Sequence, residues 1–249
     1  MIKIITWITK IIVLVITALF FSGCHFDYNS KKGSGNITTE NRTVNEKFTG
    51  LDVSSAIELT IEQSDKTEII VEADDNLQSS IITEVKNGML VISSEPYLNI
   101  RNGTRKVKVK LPIIENLEAS SASSIHSLNT IKGSQIYIKA SSAAQINLDL
   151  EMESINCKSS SAANLKLKGL AFKLDAQASS GSTTDCSKLL TNEVIADASS
   201  GSSIIVHPIV SLKADASSGA SIKYNSVPKT FEKNSSSGGS ITRLFGIGA

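Results

Sequence analysis

Ala198-Ser199-Ser200-Gly201 has near copies elsewhere in the chain, and they return at an almost fixed interval. With the small residue after each Ser-Ser pair set as position zero, the copies fall at Ala122, Ala143, Ala162, Gly181, Gly201, Gly219 and Gly238. The spacings are 21, 19, 19, 20, 18 and 19 residues, with a mean near 19. A period of about twenty residues predicts a solenoid, in which each repeat buries its apolar face only against its neighbours.

The columns on either side of zero show what each repeat is made of. Seven before zero stand Ile136, Ile155, Leu174, Val194, Leu212 and Phe231, and five before stand Leu117, Ile138, Cys157, Ala176, Ala196 and Ala214. Three before is always Ala or Ser. At four before zero the residues are Glu118, Lys139, Lys158, Gln177, Asp197, Asp215 and Asn234, a wet column between two dry ones. Past the corner, Ile125, Ile146, Leu165, Thr184, Ile204, Ile222 and Ile241 stand at plus three, and Leu148, Leu167, Cys186, Val206 and Tyr224 at plus five. Period-two alternation on both sides of a small-residue corner reads as strand, turn, strand, whereas helical rungs would show spacings of three and four. The expected fold is all-β, a parallel β-helix of about 19 residues per rung, right-handed as parallel crossovers usually are.

The paired serines have a structural reading before a catalytic one. A corner serine hydroxyl can bond freed backbone groups, and identical serines stacked about 4.8 Å apart can form a ladder. A nucleophile is one residue and not a column. Gly at zero in four copies points to a positive φ or close rung approach. Ala in the other three argues against a strict need for the left-handed conformation.

Residues 1–23 read as an export signal. Lys3 and Lys10 charge its start, and Ile11 to Phe21 is an apolar run too short to span a membrane comfortably. Ser22-Gly23-Cys24 resembles the lipobox of bacterial lipoproteins, with Cys24 as the lipidated new N-terminus. The alternative is an ordinary signal cut nearby, with Cys24 incidental. Residues 24–43 are rich in Asn, Ser, Lys and Gly and are expected to form a flexible tether, roughly 25 Å long on average. Loss of Lys3 and Lys10 leaves 23 basic against 24 acidic residues. Near-neutral charge gives no electrostatic case for a nucleic-acid partner.

Residues 44–243 form the expected β-helix domain, with regular rungs over 118–243 and degenerate rungs or a cap over 44–117. Leu51, Val53, Ser54, Ser55, Ala56, Leu59 and Ile61 fit the repeat columns as one early rung. The next copy lies 66 residues on. Between them Ile69 to Ala73, Ile81 to Lys86 and Met89 to Ser93 read as strands, with Asn87-Gly88 a hairpin turn. Val107, Val109 and Leu111 alternate with lysines before Pro112. An antiparallel element here would cap the open end that a solenoid must cover.

Gly33-Ser34-Gly35-Asn36, Phe48-Thr49-Gly50-Leu51-Asp52-Val53, Val71-Glu72-Ala73-Asp74-Asp75-Asn76-Leu77, Asn87-Gly88 with Leu90 and Ile92, and the later Ser-Ser-Gly rungs together resemble the auto-transporter adhesin "head GIN" domain family. The resemblance covers roughly residues 44–240. It implies an exported protein, often a lipoprotein, of the kind found mainly in Bacteroidota, and it brings no catalytic residues. Only eight residues follow Ile241, so no translocating barrel is expected there.

Candidate chemistry is sparse. His25 lies beside Cys24, and His126 and His207 are about four rungs apart and read as surface or turn residues. Cys157 and Cys186 fall in inward columns on opposite sides of the corner, one rung displaced, an arrangement read here as holding them apart as buried free thiols. Asp197 and Asp215 stack in one column, but no glycine-rich calcium nonapeptide accompanies them. No metal and no cofactor are expected. The functional expectation is a non-catalytic, adhesin-like protein of the cell envelope, lipid-anchored to the outer membrane. Its ligand is a glycan, a partner protein or another copy, and its candidate binding residues are Lys139, Lys158, Asp197 and Asp215. The alternative is a polysaccharide lyase or hydrolase on the same scaffold.

Overall fold

The computed structural model describes residues 2–21 and 30–244. Residues 2–21 form α1 (Ile2–Phe21), and no helix among the described residues is long and apolar enough to cross a membrane. Cys24 and His25 lie outside the described residues.

Downstream the chain is almost wholly β. The early strands are β1 (Ser30–Lys32), β2 (Ile37–Arg42), β3 (Gly50–Val53), β4 (Glu58–Gln63) and β5 (Glu68–Asp74). A 3-10 turn at Asp75–Ser80 leads into β6 (Ile81–Lys86), β7 (Met89–Ser94), β8 (Asn99–Arg101) and β9 (Arg105–Leu111). Then come β10 (Asn116–Ala119), β11 (Ser124–Ser127), β12 (Ile131–Ala140), β13 (Gln145–Ser159), β14 (Asn164–Ala178), β15 (Thr183–Ala198) and β16 (Ser203–Ala216). The last strands are β17 (Ser221–Tyr224), β18 (Thr230–Ser235) and β19 (Ser240–Arg243).

From β10 onward every pairing is parallel and in the register the columns predict: Ile138 faces Cys157, Cys157 faces Ala176, Ala176 faces Ala196, and Ala196 faces Ala214. The architecture is a parallel β-solenoid of about 19 residues per turn. Each long strand runs from one Ser-Ser turn to the next and bends midway. The bend is visible as an unpaired residue in the ladder: Gly133 pairs with Met152 and Gln135 with Ser154, while Met152 pairs with Ala171 and Ser154 with Lys173. Ser134, Glu153 and Phe172 are therefore left over at the bend, and the extra residue puts two consecutive side chains outside. Between the turns and the bends the inward columns fill one continuous apolar core.

The Ser-Ser corners are tight turns with two successive residues at positive φ. The second serine sits at φ 48–62°, and the residue at zero at 54–61° when it is Ala and 69–78° when it is Gly. The expectation drawn from the Ala copies is corrected: Ala56, Ala122, Ala143 and Ala162 all adopt the left-handed conformation. Backbone bonds hold it there. Each turn closes from the residue after zero to the first serine, as in Ser202 N–H to Ser199 O at 3.2 Å, and each zero residue from Ala56 to Gly219 donates to the second serine of the next stacked rung, as in Ala143 to Ser161 O at 3.0 Å. With the backbone satisfied by itself, the corner hydroxyls make no protein hydrogen bond among the described residues, and the expected hydroxyl ladder does not form. The serines that work stand one position after zero and are buried. Ser123 Oγ donates to Val53 O at 2.9 Å, Ser182 Oγ to Ser159 O at 3.0 Å, and Ser202 Oγ to Ala178 O at 2.9 Å.

The N-terminal third is a cap built out of sequence order. The early rung, β3 and β4, stacks directly on β10 and β11, with Leu51 opposite Leu117 and Leu59 opposite Ile125, although 66 residues separate them. The intervening chain passes to the outer side of that rung. There β7 and β9 add a parallel level, and β5 turns antiparallel against β9 and β2. The β6–β7 hairpin forms at Asn87 and Gly88, both at positive φ. Residues 30–42, expected to belong to a flexible tether, are instead strands: β1 pairs with β8 and β2 with β5. The cause is a polar clasp. Ser34 Oγ donates to Asp75 Oδ1 at 2.5 Å, Asn36 Nδ2 to Asp75 Oδ2 at 2.9 Å, and Asn76 Nδ2 to Lys32 O at 2.8 Å. Buried Asp74 meanwhile accepts from the Gly35 and Thr104 amides.

Candidate functional site

Two outward surfaces differ from an ordinary solvated β-face. The first is the column four before zero. Its residues stack in the expected order, Asp52, Glu118, Lys139, Lys158, Gln177, Asp197, Asp215 and Asn234. Lys139, Lys158 and Asp197 line one shallow groove of about 290 Å³ with Gln177 between them, and Asp215 lies one rung further on. Part of its polar surface is partnered internally: Lys139 Nζ lies 3.2 Å from Glu118 Oε2, and Asn234 Nδ2 donates to Asp215 Oδ2 at 3.0 Å. Half-burial and then the neighbouring Glu118 push the Asp52 carboxyl up, against the opposing pull of Lys139.

The second surface is at the bend. One row along the axis runs Lys132, Glu151, Leu170, Leu190 and so changes from charged to apolar. Beside it the unpaired bend residue Phe172 points outward. Gly133 and Ala171 keep the floor low, and the result is a groove of about 540 Å³ that also reaches Glu153, Asn192 and Ile209. Leu170, Phe172, Leu190 and Ile209 are 41–55% exposed. Apolar side chains grouped in one groove leave surface against water that is favourable to cover. Lys132 Nζ and Glu151 Oε2 pair at 2.7 Å on its rim. This surface lies outside the columns between seven before and five after zero that define the repeat. Its signal was present as consecutive apolar residues where alternation demands a polar one: Leu170-Ala171-Phe172, Leu189-Leu190 and Ile209-Val210.

The remaining candidates do not converge. His126 on β11 and His207 on β16 are half-buried and several rungs apart, with His207 Nδ1 3.4 Å from Ser187 O. Asp197 and Asp215 are stacked neighbours, and no group of three metal-ligating side chains occurs among the described residues. Cys157 and Cys186 are both buried and free. The expectation that their positions hold them apart is overturned, because β13 and β15, one rung displaced, meet across a narrow core near the Ser-Ser turns, where Ser159 Oγ and Thr184 Oγ1, each two residues from a cysteine on the same strand, are 2.8 Å apart. There the Cys157 sulfhydryl is the principal influence on Cys186.

A family model described as "Putative auto-transporter adhesin, head GIN domain" matches residues 47–228. Among solved structures, an adhesin so described from Bacteroides fragilis superposes with a TM-score of 0.81 at 20% identity, covering 86% of this chain and all of its own. A protein from Parabacteroides distasonis described as lipid-binding gives 0.74 at 17% identity over 87% of this chain and all of its own. An adhesin so described from Parabacteroides merdae gives 0.69 at 20% identity over the same shares. At these identities the likeness is one of fold. Curated protein sequences give no match to this chain.

Proposed function

The chain belongs to the auto-transporter adhesin, head GIN domain family, and on that premise we propose that it is a cell-envelope binding protein, anchored through a lipid on Cys24, that holds its ligand without transforming it. The observation that carries the reading is the apolar groove at the bend, whose exposed Leu170, Phe172, Leu190 and Ile209 gain by being covered. Its shape and chemistry suit the apolar part of an amphiphile lying along the solenoid, with Lys132 and Glu151 at the polar end. The fold likeness to a protein described as lipid-binding supports that ligand class. The Lys139, Lys158, Asp197 and Asp215 column is assigned a secondary, salt-dependent contact, since the Lys139 charge is already paired with Glu118 within the column.

One observation favours the polysaccharide-active reading: Glu151 and Glu153 line the same groove. Both are exposed, and Glu151 is tied to Lys132, whereas a general acid at neutral pH needs a carboxyl sheltered from water. Binding is the better account.

The test uses the chain from residue 24 with Cys24→Ser, titrated against envelope lipids and envelope glycans, with turnover measured on the same glycans. Binding that falls at least tenfold in Leu170→Asp/Phe172→Asp, with the melting temperature unchanged, is the expected result. Glycan cleavage that disappears in Glu153→Gln would replace the binding reading with the enzymatic one. For the anchor, Cys24→Ser in the full chain is expected to move the protein from the membrane to the soluble fraction, and continued membrane association after normal processing would rule the lipid anchor out.

A further inference from the structure

One slice of the core departs from the aliphatic pattern on both facing walls at once. Ser159 replaces alanine in a column that otherwise reads Ala119, Ala140, Ala178, Ala198 and Ala216 from β10 to β16, and Thr184 is the single hydroxyl in a column of Ile and Leu. Cys157 and Cys186 are the thiols of their two columns. All four side chains are at most 3% exposed. Ser159 on β13 and Thr184 on β15 meet across the core, with Oγ and Oγ1 2.8 Å apart, and Ser182 Oγ joins them 2.9 Å from Ser159 Oγ. Side chains two residues apart on a strand share a face. Two residues further from the turn, on the same walls and the same inward faces, stand Cys157 and Cys186. The hydroxyl pair thus fixes the thiol pair in register.

We propose that Cys157 and Cys186 are a disulfide-forming pair, and that oxidation staples the Ala162 rung to the Gly181 rung across the core. The two thiols lose two protons and two electrons as the S–S bond forms. Both electrons and both protons pass to a disulfide oxidant, which is reduced to two thiols by ordinary exchange. The Cys157 neighbour and then burial hold the Cys186 thiol well above its usual range, so thiolate is scarce in the folded chain and the bond forms while the rungs are still assembling. Once closed, it lies where no reductant reaches it. The proposal rests on the export reading only for the site of oxidation, since an exporting compartment supplies such an oxidant and a cytosol does not.

The experiment refolds the full chain carrying Cys24→Ser in mixed oxidised and reduced glutathione, then denatures it without reductant and alkylates it. A mass 2 Da below the reduced chain, no alkylation, and a peptide joining residues 157 and 186 are expected. The oxidised chain is expected to melt about 5–10 °C above the reduced one, because the bond closes a loop of some thirty residues. Cys157→Ala and Cys186→Val, which copy residues already present in those columns at Ala176 and Val206, are expected to fold, to leave one alkylatable thiol and to lose the gain. Full alkylation of both thiols after oxidative refolding, or a cross-linked chain melting no higher than the reduced one, overturns the proposal. A second arm maps the same peptides in the chain recovered from a bacterial envelope. Free thiols there, with cross-linking in glutathione, would overturn the proposal for the exported protein and trace the failure to the export reading, leaving the core geometry intact.

Discussion

Ala143→Gly and Gly201→Ala take one methyl group out of, and put one into, the same turn position on different rungs. Ala143 sits at φ 61° and Gly201 at φ 70°. An L-residue in this region pays roughly 1–2 kcal/mol relative to its preferred backbone. Glycine escapes that cost but brings about 0.4–1 kcal/mol of extra unfolded-chain entropy. The balance is a stabilisation of about 0.5–1 kcal/mol for Ala143→Gly and an equal loss for Gly201→Ala. Packing does not intrude, because a Cβ built on Gly201 meets nothing within 4 Å. Gly169 is the contrast: its φ is 112°, and a Cβ there would lie 2.1 Å from Leu150 O of the neighbouring rung, so Gly169→Ala is expected to cost at least ~3 kcal/mol. In a chain of this size each kcal/mol moves the melting temperature by about 2–4 °C. Urea and thermal unfolding of the three variants read the effects directly. A loss of more than about 1 kcal/mol in Ala143→Gly, or a silent Gly201→Ala, would refute the left-handed turn as the reason for the small-residue column.

Two further expectations concern the rung faces and the carboxylates. Leu167 is 2% exposed and Lys166 is on the opposite face of the same strand, so Leu167→Asp is expected to cost several kcal/mol and Lys166→Asp less than about 1 kcal/mol; equal melting shifts would break the inward and outward assignment. Asp52 and Asp75 are expected to respond to pH with opposite signs. The folded Asp52 carboxyl holds its proton above its usual value through burial and Glu118, so its ionisation opposes folding above that value. Asp52→Asn should therefore raise the melting temperature at pH 7 and change nothing at pH 3. Asp75 is lowered by the Ser34 hydroxyl, then by Asn36 and the Asn76 amide, so the clasp contributes stability at neutral pH that is lost as pH falls through the folded value. Asp75→Asn is expected to loosen protection of the β1 and β2 amides in hydrogen exchange at pH 7 but not in acid, and equal protection at both pH values would exclude the clasp.

The regular rungs were legible in the chain because both determinants are local and repeated. Side chains alternate with a period of two, and stacked copies must present the same residue type at the same column, so Ile125 to Ile241 and Glu118 to Asn234 declare an inside and an outside without any knowledge of distance. The Asn87-Gly88 hairpin and the end of β9 before Pro112 were legible for the same local reason. Three features were decided only by the tertiary structure. The early rung at Leu51 seats on Leu117 and not on its sequence neighbour Leu90 alone, because parallel pairing is non-local and several apolar strands offer equivalent edges; the order of levels is set by which arrangement also buries β5 and closes the Ser34–Asp75 clasp. The groove at Leu170, Phe172 and Leu190 exists because one unpaired residue per rung shifts the parity of the strand, turning outward a side chain that plain alternation would leave undefined. The Cys157–Cys186 pair, like the Ser159–Thr184 contact beside it, depends on how closely two walls converge at the turn, and that distance is a property of packing across the core that no column of one strand contains.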